Sequence, residues 1–564
     1  MKMLFKNGTV VNVFTGELEK ANVLIENDKI IGVGDYYTDS DADFTEDITG
    51  KFVCPGFIDG HIHIESSFLT PCEFARACVP HGTTAVIADC HEIANVSGKD
   101  GIEYMIQASE GLPLDVYFAI PSCVPATDFD EAGARLEAKD IEPFYSNPHV
   151  VGLGEVMNYV GVVYNDKSVL DKVNSALSHN MTVNGHAPLI SGKELDKYIS
   201  AGIRDDHECS MLDEAKERIR KGQRVMIRQG TAARNLQALL PLFVEPWASR
   251  CLLVSDDKHP ADLISNGHID EIIRIAVKSG KSAVTGIKMA TIQAAEHFGL
   301  KNLGAVAPSY NADLIVLDDL DTMKIHSVYK SGKRVAEGGK AADFAMPQIS
   351  KELESVVRGS FHIDELKKED FIINENGKKS CRIIKLVKNE LITDELIAEL
   401  DFDKSNGTDT ERDILKLAVL ERHNNTGHRG LGFVNGISIK QGAIAASVSH
   451  DSHNLIVIGT NESDMAIAAN RICELGGGMV TVKNGDVLAE MPLPIAGLMT
   501  DISAQEAAEQ NERVRESVYS LGVNKDIEPF MTMAFVSLPV IPHLKMTTNG
   551  LIDVDKFELV PLIV

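Results

Sequence analysis

The sequence of 564 residues lacks several features that mark special classes of protein. It contains no run of about 18 apolar residues, so no transmembrane helix is predicted. The N-terminal segment MKMLFKNGTVVNVFTGE has neither the apolar core nor the cleavage site of a signal peptide. Lysine and arginine number 55 against 82 acidic residues, which argues against a nucleic-acid binder. We therefore expect a soluble, cytoplasmic protein that binds neither nucleic acid nor membrane.

Paired cysteines are also lacking, because the nine cysteines are scattered without a repeated spacing. This is typical of reduced thiols in a cytosol. Internal repeats and low-complexity segments are absent as well. Hydrophobic residues make up 44% of the chain, as in globular proteins. A chain of this length is expected to form about two to four domains, and a homo-oligomer is the default for such a protein.

What the sequence does contain is a regular succession of short apolar runs. Residues 2–53 read as short strands of a small β-sandwich. Residues 55–257 then alternate β-rich runs with amphipathic helical stretches, which favours an α/β fold with a TIM-type (β/α)8 barrel. The eight runs are GFIDGHIHIE, TTAVIADCHE, DVYFAIPSCVPA, HVVGLGEVMNY, MTVNGHAP, GIRDDHECS, RVMIRQGT and CLLVSDDKHP.

Three domains follow from this pattern. Strand-like segments return after the barrel, so residues 1–54 and 306–345 are predicted to form one discontinuous β-sandwich. Residues 55–305 would form the barrel. A charged stretch that reads as a linker or surface helix follows, and residues 360–564 are predicted to be a C-terminal α+β domain that closes the active site.

Nearly every predicted strand of the barrel ends in polar or titratable side chains. Active sites of such barrels lie at the C-terminal ends of the strands. The residues at these ends are His61, His63, His91, Glu92, Ser122, Glu155, His186, His207, Arg228 and Asp256.

Six of these side chains are of the types that bind divalent metal ions. A His-x-His pair alone is equally compatible with two hydrogen-bonded core histidines. A set distributed over the ends of five strands instead predicts a metal site for Zn, Mn or Fe. The six residues are His61, His63, Glu155, His186, His207 and Asp256.

Several segments resemble a known family. PGFIDGHIHIESS, GHAP, the single Asp on the eighth run and NADLIVLD are similar to the amidohydrolase superfamily of metal-dependent hydrolases. HGTTAVIADCHEIANVSG, GLGEVMNYVGV, SVSHDSHNLIVIG and MPLPIAGLMTD resemble, more narrowly, the adenine deaminase family, almost from end to end. The resemblance implies a purine-salvage hydrolase that converts adenine and water to hypoxanthine and ammonia.

The resemblance also implies roles for individual residues. Two divalent metal ions per chain are implied, Mn or Fe first, with Zn possible. His61 and His63 would bind the first ion, and His186 and His207 the second. Glu155 would bridge the two ions in place of the carboxylated lysine of many relatives.

The implied chemistry is attack of a metal-activated hydroxide on C6 of adenine. Asp256 would accept the proton of the water and pass a proton to the departing amine. Glu155 is the candidate for protonating the purine ring.

Other residues keep more than one interpretation. His91 and Glu92 could support the metal ligands, contact substrate or bind an additional metal, and Ser122 and Arg228 fall in the same group. The segment with His450, Asp451 and His453 could face the barrel mouth or form a turn within its own domain, and we favour the mouth. The apolar segment 492–499 reads as a wall for a purine.

Two alternative functions remain at this point. An amide-ring hydrolase of the hydantoinase or dihydroorotase kind would have a similar fold and metal site, but usually has Lys where this chain has Glu155. A non-catalytic scaffold with the same fold would be expected to lose metal ligands, whereas all six are present.

Overall fold

The computed structural model describes residues 1–231, 233–388 and 391–564. The N-terminal residues form seven short strands, and alternation of buried and partly exposed residues along the fifth of them is typical of a sheet with one covered face. The strands are β1 (Lys2–Lys6), β2 (Thr9–Val11), β3 (Leu18–Lys20), β4 (Asn22–Glu26), β5 (Lys29–Gly34), β6 (Phe44–Asp47) and β7 (Phe52–Pro55).

Eight parallel strands follow, one in each of the eight apolar runs. All residues of the first two are buried, as expected for parallel strands covered by helices. The strands are β8 (Phe57–Ile62), β9 (Thr83–Asp89), β10 (Asp115–Ile120), β11 (Val150–Val156), β12 (Thr182–Gly185), β13 (Asp205–Asp206), β14 (Arg224–Arg228) and β15 (Cys251–Val254).

These strands form two parallel sheets that contact each other. One has the order β12-β11-β10-β9-β8 and the other β13-β14-β15. Ile62 pairs with Asp256 in a parallel bridge, and the Asp256 N–H donates to the His61 carbonyl at 3.0 Å. On the other side, the Arg204 N–H donates to the Val183 carbonyl at 3.1 Å. The α/β fold and a parallel sheet curved as half a barrel are therefore confirmed.

Helices connect and cover these strands. The helix at 269–278 illustrates the cause, because Ile269, Ile272, Ile273 and Ala276 recur at helical spacing and are buried. The helices are α1 (Pro71–Cys78), α2 (His91–Ala108), α3 (Ala138–Ile141), α4 (Tyr159–Tyr164), α5 (Lys167–Ser178), α6 (Gly192–Ser200), α7 (Leu212–Arg220), α8 (Leu236–Leu239), α9 (Pro260–Asn266), α10 (Ile269–Lys278), α11 (Ala283–Met289) and α12 (Ile292–His297).

The chain then returns to the N-terminal strands. The first returning strand pairs antiparallel with β7, with Leu314 opposite Pro55. A seven-stranded and a four-stranded sheet enclose an apolar core that includes Phe5, Val53 and Leu314. The returning strands are β16 (Leu314–Leu317), β17 (Ile325–Lys330), β18 (Lys333–Glu337) and β19 (Lys340–Ala341).

The C-terminal part contains an eight-stranded sheet of order β21-β20-β23-β22-β25-β24-β26-β27 and a three-stranded sheet of β28-β29-β30. Its strands are β20 (Lys378–Leu386), β21 (Thr393–Asp401), β22 (Ile414–Leu420), β23 (Arg429–Asn435), β24 (Ala443–Ala446), β25 (Leu455–Gly459), β26 (Gly478–Lys483), β27 (Asp486–Pro492), β28 (Leu544–Thr547), β29 (Gly550–Asp553) and β30 (Glu558–Leu559). Its helices are α14 (Phe402–Ser405), α15 (Glu462–Leu475), α16 (Ala504–Ser520) and α17 (Pro529–Ala534), and α13 (Lys351–Arg358) precedes them.

The C-terminal part packs tightly on the strand–helix part. Helix α16 lies against α9, and the Thr500 N–H donates to the Phe68 carbonyl at 2.8 Å. One apolar core contains residues of both parts, including Phe68 and Met499. Among the described helices, none combines the length and the apolar character that a membrane crossing requires.

Candidate metal centre

The first two histidines lie at the end of β8, His61 within the strand and His63 directly after its last residue. Asp59, buried in that strand, accepts hydrogen bonds from the Ser255 N–H and hydroxyl at 3.1 and 2.5 Å. This fixes β8 beside the end of β15, where Asp256 follows. The His61 and His63 rings lie 4.8 Å apart between their centroids. The imidazoles and Asp256 therefore face one another because two strands end side by side.

His61, His63 and Asp256 form one group of possible ligands. Asp256 Oδ1 lies 3.8 Å from His61 Nε2 and 3.4 Å from His63 Nε2. His63 Nδ1 faces the Asp89 carbonyl at 3.0 Å. Because a carbonyl only accepts, Nδ1 carries the proton of the neutral ring and Nε2 keeps its lone pair for a ligand.

Glu155, at the end of β11, lies between this group and a second one. Its Oε1 is 3.2 Å from His63 Nε2. Its Oε2 is 2.5 Å from His186 Nδ1 and 3.1 Å from His207 Nε2. The two oxygens of one carboxylate thus face different sets of imidazoles, which is the arrangement that a bridging ligand needs.

Arg228 holds the remaining oxygen of Asp256. Its Nη1 donates to Asp256 Oδ2 at 2.6 Å and to Glu208 Oε1 at 2.5 Å. Burial opposes ionisation of Asp256, but Arg228 and then His63 outweigh it and hold the pKa of Asp256 well below its usual range. Burial likewise opposes ionisation of Glu208, and Arg228 reverses this and lowers the pKa of Glu208. Both carboxylates are therefore anionic.

Glu155 is anionic for a similar reason. Burial alone would raise its pKa, but His186 and His207 hold the pKa of Glu155 well below its usual range. His61 behaves oppositely, because burial and the neighbouring His207 lower the pKa of His61 to about 3. Burial opposes protonation of His63, His186 and His207, but the neighbouring carboxylates outweigh it and raise the pKa of each ring, that of His207 to about 9. Metal ligands must be neutral imidazoles, so an ion that binds here would displace the extra proton from each of these rings.

These residues fit divalent metal ions. His61 Nε2 is buried and has no hydrogen-bond partner. Buried polar atoms are normally hydrogen-bonded, so an unpartnered nitrogen aimed at a carboxylate marks a place for a cation. Nitrogen and carboxylate donors together suit Zn, Mn and Fe.

Two neighbouring residues fix Glu155. Ser122 Oγ donates to the Glu155 carbonyl at 2.5 Å, and Asp89 Oδ2 accepts from the Glu155 N–H at 2.8 Å. The backbone is close here, because a Cβ on Gly154 would lie 2.3 Å from Asp89 Oδ2. Ser122 therefore supports the site through the backbone.

The histidines of the C-terminal part reach the residues that follow the parallel strand β9. His450 Nδ1 lies 3.0 Å from Glu92 Oε1, and His453 Nε2 contacts Glu92 Oε2. Asp451 Oδ2 is 3.7 Å from His91 Nε2. The interpretation of this segment as a turn confined to its own domain is therefore wrong, and it contacts the strand ends.

Two cavities adjoin the centre. A narrow inner one of about 30 Å³ is lined by the metal-centre residues and by Leu391, Phe535, Leu538 and Ile541. A larger one of about 850 Å³ shares Arg228, Glu208 and Phe535 with it. The apolar wall was expected from residues 492–499. Among the described lining residues of the inner cavity, Phe535, Leu538 and Ile541, which follow α17, stand there instead.

Sequence reasoning missed two carboxylates of the centre, Glu208 and Asp89. Glu208 lies 3.6 Å from His207 Nε2 and binds Arg228. Both follow or end strands next to predicted histidines, which was the available signal. No sequence pattern predicts that Glu208 pairs with Arg228, which lies 20 residues further along the chain.

Comparison with known proteins gives two matching family models. Residues 52–335 match the amidohydrolase family, and residues 390–558 match the adenine deaminase C-terminal domain. A dihydropyrimidinase structure from Brevibacillus agri aligns with 60% of this chain and 96% of its own, at 16% identity and a TM-score of 0.48. No function follows from so distant a likeness.

Full-length relatives are much more similar. Adenine deaminase of Desulfatibacillum aliphaticivorans is 45% identical over 563 residues, which cover 99% of this chain and 97% of that protein. Adenine deaminase 2 of Carboxydothermus hydrogenoformans is 45% identical, and the alignment covers 99% of this chain and 96% of that protein. With both family models and relatives that match from end to end, the chain belongs to the adenine deaminase family of the amidohydrolases.

Proposed function

We propose that this protein catalyses hydrolytic deamination of adenine to hypoxanthine and ammonia in purine salvage. The observation that carries the proposal is Glu155, whose two oxygens face the two sets of imidazoles. An amide-ring hydrolase usually has Lys at this position. The similarity to adenine deaminases over the whole chain supports the same substrate.

The architecture that we propose is a complete (β/α)8 barrel over residues 55–305. The bridge between Ile62 and Asp256 and the bond from Arg204 to Val183 support closure of the two sheets into one barrel. Residues 1–54 and 306–345 would be the discontinuous sandwich, supported by the pairing of β7 with β16. Residues 360–564 would be the domain that closes the active site.

The metal centre would hold two divalent ions, Mn or Fe first and Zn as a possible replacement. His61, His63 and Asp256 would hold one, and His186 and His207 the other. Glu155 would bridge them, since its ionised oxygens each face one group. When bound, such ions lower the pKa of water toward neutrality.

The protein's own residues would then move protons. Asp256 is the proposed base, because Oδ1 faces the imidazole nitrogens while Arg228 holds Oδ2 in place. It would accept a proton from water and return one to the leaving amine. Glu155 is held ionised by two imidazoles, which makes it a weak proton donor to the purine ring, so we assign it chiefly the bridging role.

Adenine would reach the centre through the cavity of about 850 Å³, which ends at Arg228, Glu208 and Phe535. The inner space beyond it is narrow, about 30 Å³, and is lined on one side by apolar groups of the C-terminal part. A ribose would have to fit the same passage. We therefore expect adenosine to be a poor substrate, seen as a lower kcat/KM with unchanged chemistry.

The test is an assay of purified, Mn²⁺-loaded protein against adenine, adenosine, cytosine and dihydroorotate, with ammonia release and product chromatography as readouts. Turnover of adenine well above the others supports the proposal. Turnover of dihydroorotate would favour the amide-ring hydrolase, and no turnover of any would favour the scaffold. A preference for adenosine would contradict the substrate assignment.

The metal count has a separate test. We expect Glu155→Gln to lower the Mn²⁺ bound at this centre in elemental analysis, while Glu142→Gln, an exposed carboxylate, leaves it unchanged. Equal metal content in both variants would contradict a bridging role. A cytoplasmic location, supported by nine unpaired cysteines, and a homo-oligomer stay predictions.

A further inference from the structure

A second cluster of metal-binding side chains lies beside the proposed two-ion centre, where the C-terminal part meets the barrel. We infer that His91, Glu92, His450 and Asp451 form an additional divalent metal site that joins the two parts of the chain. All four side chains are buried. The inference does not depend on which substrate the enzyme deaminates.

Each of the four residues has a donor atom within 3.0–3.7 Å of a donor atom of another, close to the separations found around one metal ion. Glu92 Oε1 lies 3.0 Å from His450 Nδ1 and 3.7 Å from His91 Nε2. Asp451 Oδ2 lies 3.7 Å from the same His91 nitrogen. Two ligands with metal bonds of about 2.0–2.2 Å lie roughly 3–3.6 Å apart. Most of these separations are too long for direct hydrogen bonds and suit an ion between the atoms.

The proton position on His91 leaves a lone pair free toward the proposed site. His91 Nδ1 lies 3.2 Å from Asp89 Oδ1, and an ionised carboxylate only accepts, so Nδ1 carries the proton. His91 Nε2 then presents its lone pair toward Glu92 and Asp451. A carboxylate behind the outer nitrogen of a histidine is the usual support of a metal ligand.

Glu92 has matching support from the other side. His453 Nδ1 accepts the Ser449 N–H at 3.2 Å, so the proton of the neutral ring is on Nε2. That nitrogen donates to Glu92 Oε2 and leaves Oε1 for a cation. His453 is thus a support of the proposed site and not one of its ligands.

An independent observation is that one carboxylate oxygen of Asp451 lacks a hydrogen-bond partner. Its Oδ2 is buried and has no hydrogen-bond partner, although it points at His91. An ion pair between Glu92 and His450 would leave this oxygen unsatisfied, at a cost that buried polar groups rarely bear. A divalent cation satisfies Asp451 and uses the free nitrogen of His91 together.

The consequence is a link between distant segments of the chain. His91 and Glu92 begin α2 at the end of β9, whereas His450 and Asp451 belong to the C-terminal part. An ion held by both would fix the C-terminal part over the barrel mouth. Two imidazoles and two carboxylates give the four ligands of a closed zinc site.

The test compares Zn²⁺ content of metal-stripped, reloaded and gel-filtered full-length proteins by elemental analysis. We expect about three ions per chain in wild type and about two in Asp451→Asn and His450→Gln, since one four-ligand site is lost. Ser452→Ala is the matched control, because this buried hydroxyl directly follows the proposed ligand Asp451 and has no hydrogen-bond partner. It should keep the wild-type count.

Glu155→Gln separates this site from the barrel centre, because it should lose ions there and keep the one at Asp451. Wild-type crystals provide a measurement that needs no variant. Anomalous scattering at the zinc edge should give a peak bounded by His91 Nε2, Glu92 Oε1 and Asp451 Oδ2. No peak there, with the same count in wild type and Asp451→Asn, would overturn the inference and leave a hydrogen-bonded network.

Discussion

Replacement of Arg228 tests how the centre is held together. Arg228 Nη1 bridges Asp256 Oδ2 and Glu208 Oε1 at 2.6 and 2.5 Å, and the residue is 8% exposed. In Arg228→Met, both carboxylates stay buried without the guanidinium that pairs them. Breaking a buried pair from one side costs about 3–5 kcal/mol, so we expect a loss of that order in the free energy of unfolding.

Activity should fall as well, because Arg228 sets the orientation of Asp256. A misplacement of about 1 Å in a reacting group lowers rates by about 10²-fold. We therefore expect kcat for adenine to fall by about that factor while KM changes less, since Arg228 acts through Asp256. Arg228→Lys should restore part of the stability and less of the rate, because a lysine cannot reproduce the planar fork.

The assays are urea unfolding of metal-loaded protein and steady-state ammonia release. Arg224→Met is the matched control, because Arg224 lies on the same strand, is only half-buried and bonds a carbonyl. Arg224→Met should lower the free energy of unfolding by less than about 1 kcal/mol, as typical surface substitutions do. If Arg228→Met and Arg224→Met behave alike in both assays, the positioning role of Arg228 is refuted.

Three further predictions concern stability and the centre. Lys545 is fully buried, and burial lowers its pKa to about 7. Between this value and about 10.4, the pKa of an unperturbed lysine, the unfolded chain binds more protons than the folded chain. The free energy of unfolding of the wild type should therefore rise with pH by something on the order of 4 kcal/mol. The urea midpoint of Lys545→Met should lack that rise from pH 7 to 10. Parallel pH dependences of the midpoint in wild type and variant would contradict the prediction. Removal of divalent ions by a chelator should abolish turnover and lower Tm, with both restored by Mn²⁺; unchanged Tm would argue against metal-linked stability. Gly154→Ala should lower activity by at least about tenfold through displaced Asp89, and full activity would show that the carboxylate can move freely.

The sequence alone was sufficient to predict the parallel strands and the candidate ligands. The runs of β9 and β15 predict strands because continuous apolar residues can be buried on both faces, whereas the strand in the sixth run is only Asp205–Asp206. The six candidate ligands lie at strand ends, where parallel topology brings side chains together. His61 and His63 were evident because their spacing and strand position are local properties.

Long-range contacts could not be predicted in the same way. Glu92 contacts His453 across 361 residues, and Arg228 bridges Asp256 and Glu208 from neighbouring strands. Sequence patterns report local period and burial, whereas the partner of a buried charge depends on how separate elements pack. The apolar wall of the inner cavity shows the same limit, because Phe535 and Leu538 stand where residues 492–499 were expected. The sequence by itself determined the succession of strands over residues 55–257 and the types of candidate ligand. Only the tertiary structure decided which carboxylate faces which cation, because that choice depends on packing between elements that are distant in the chain.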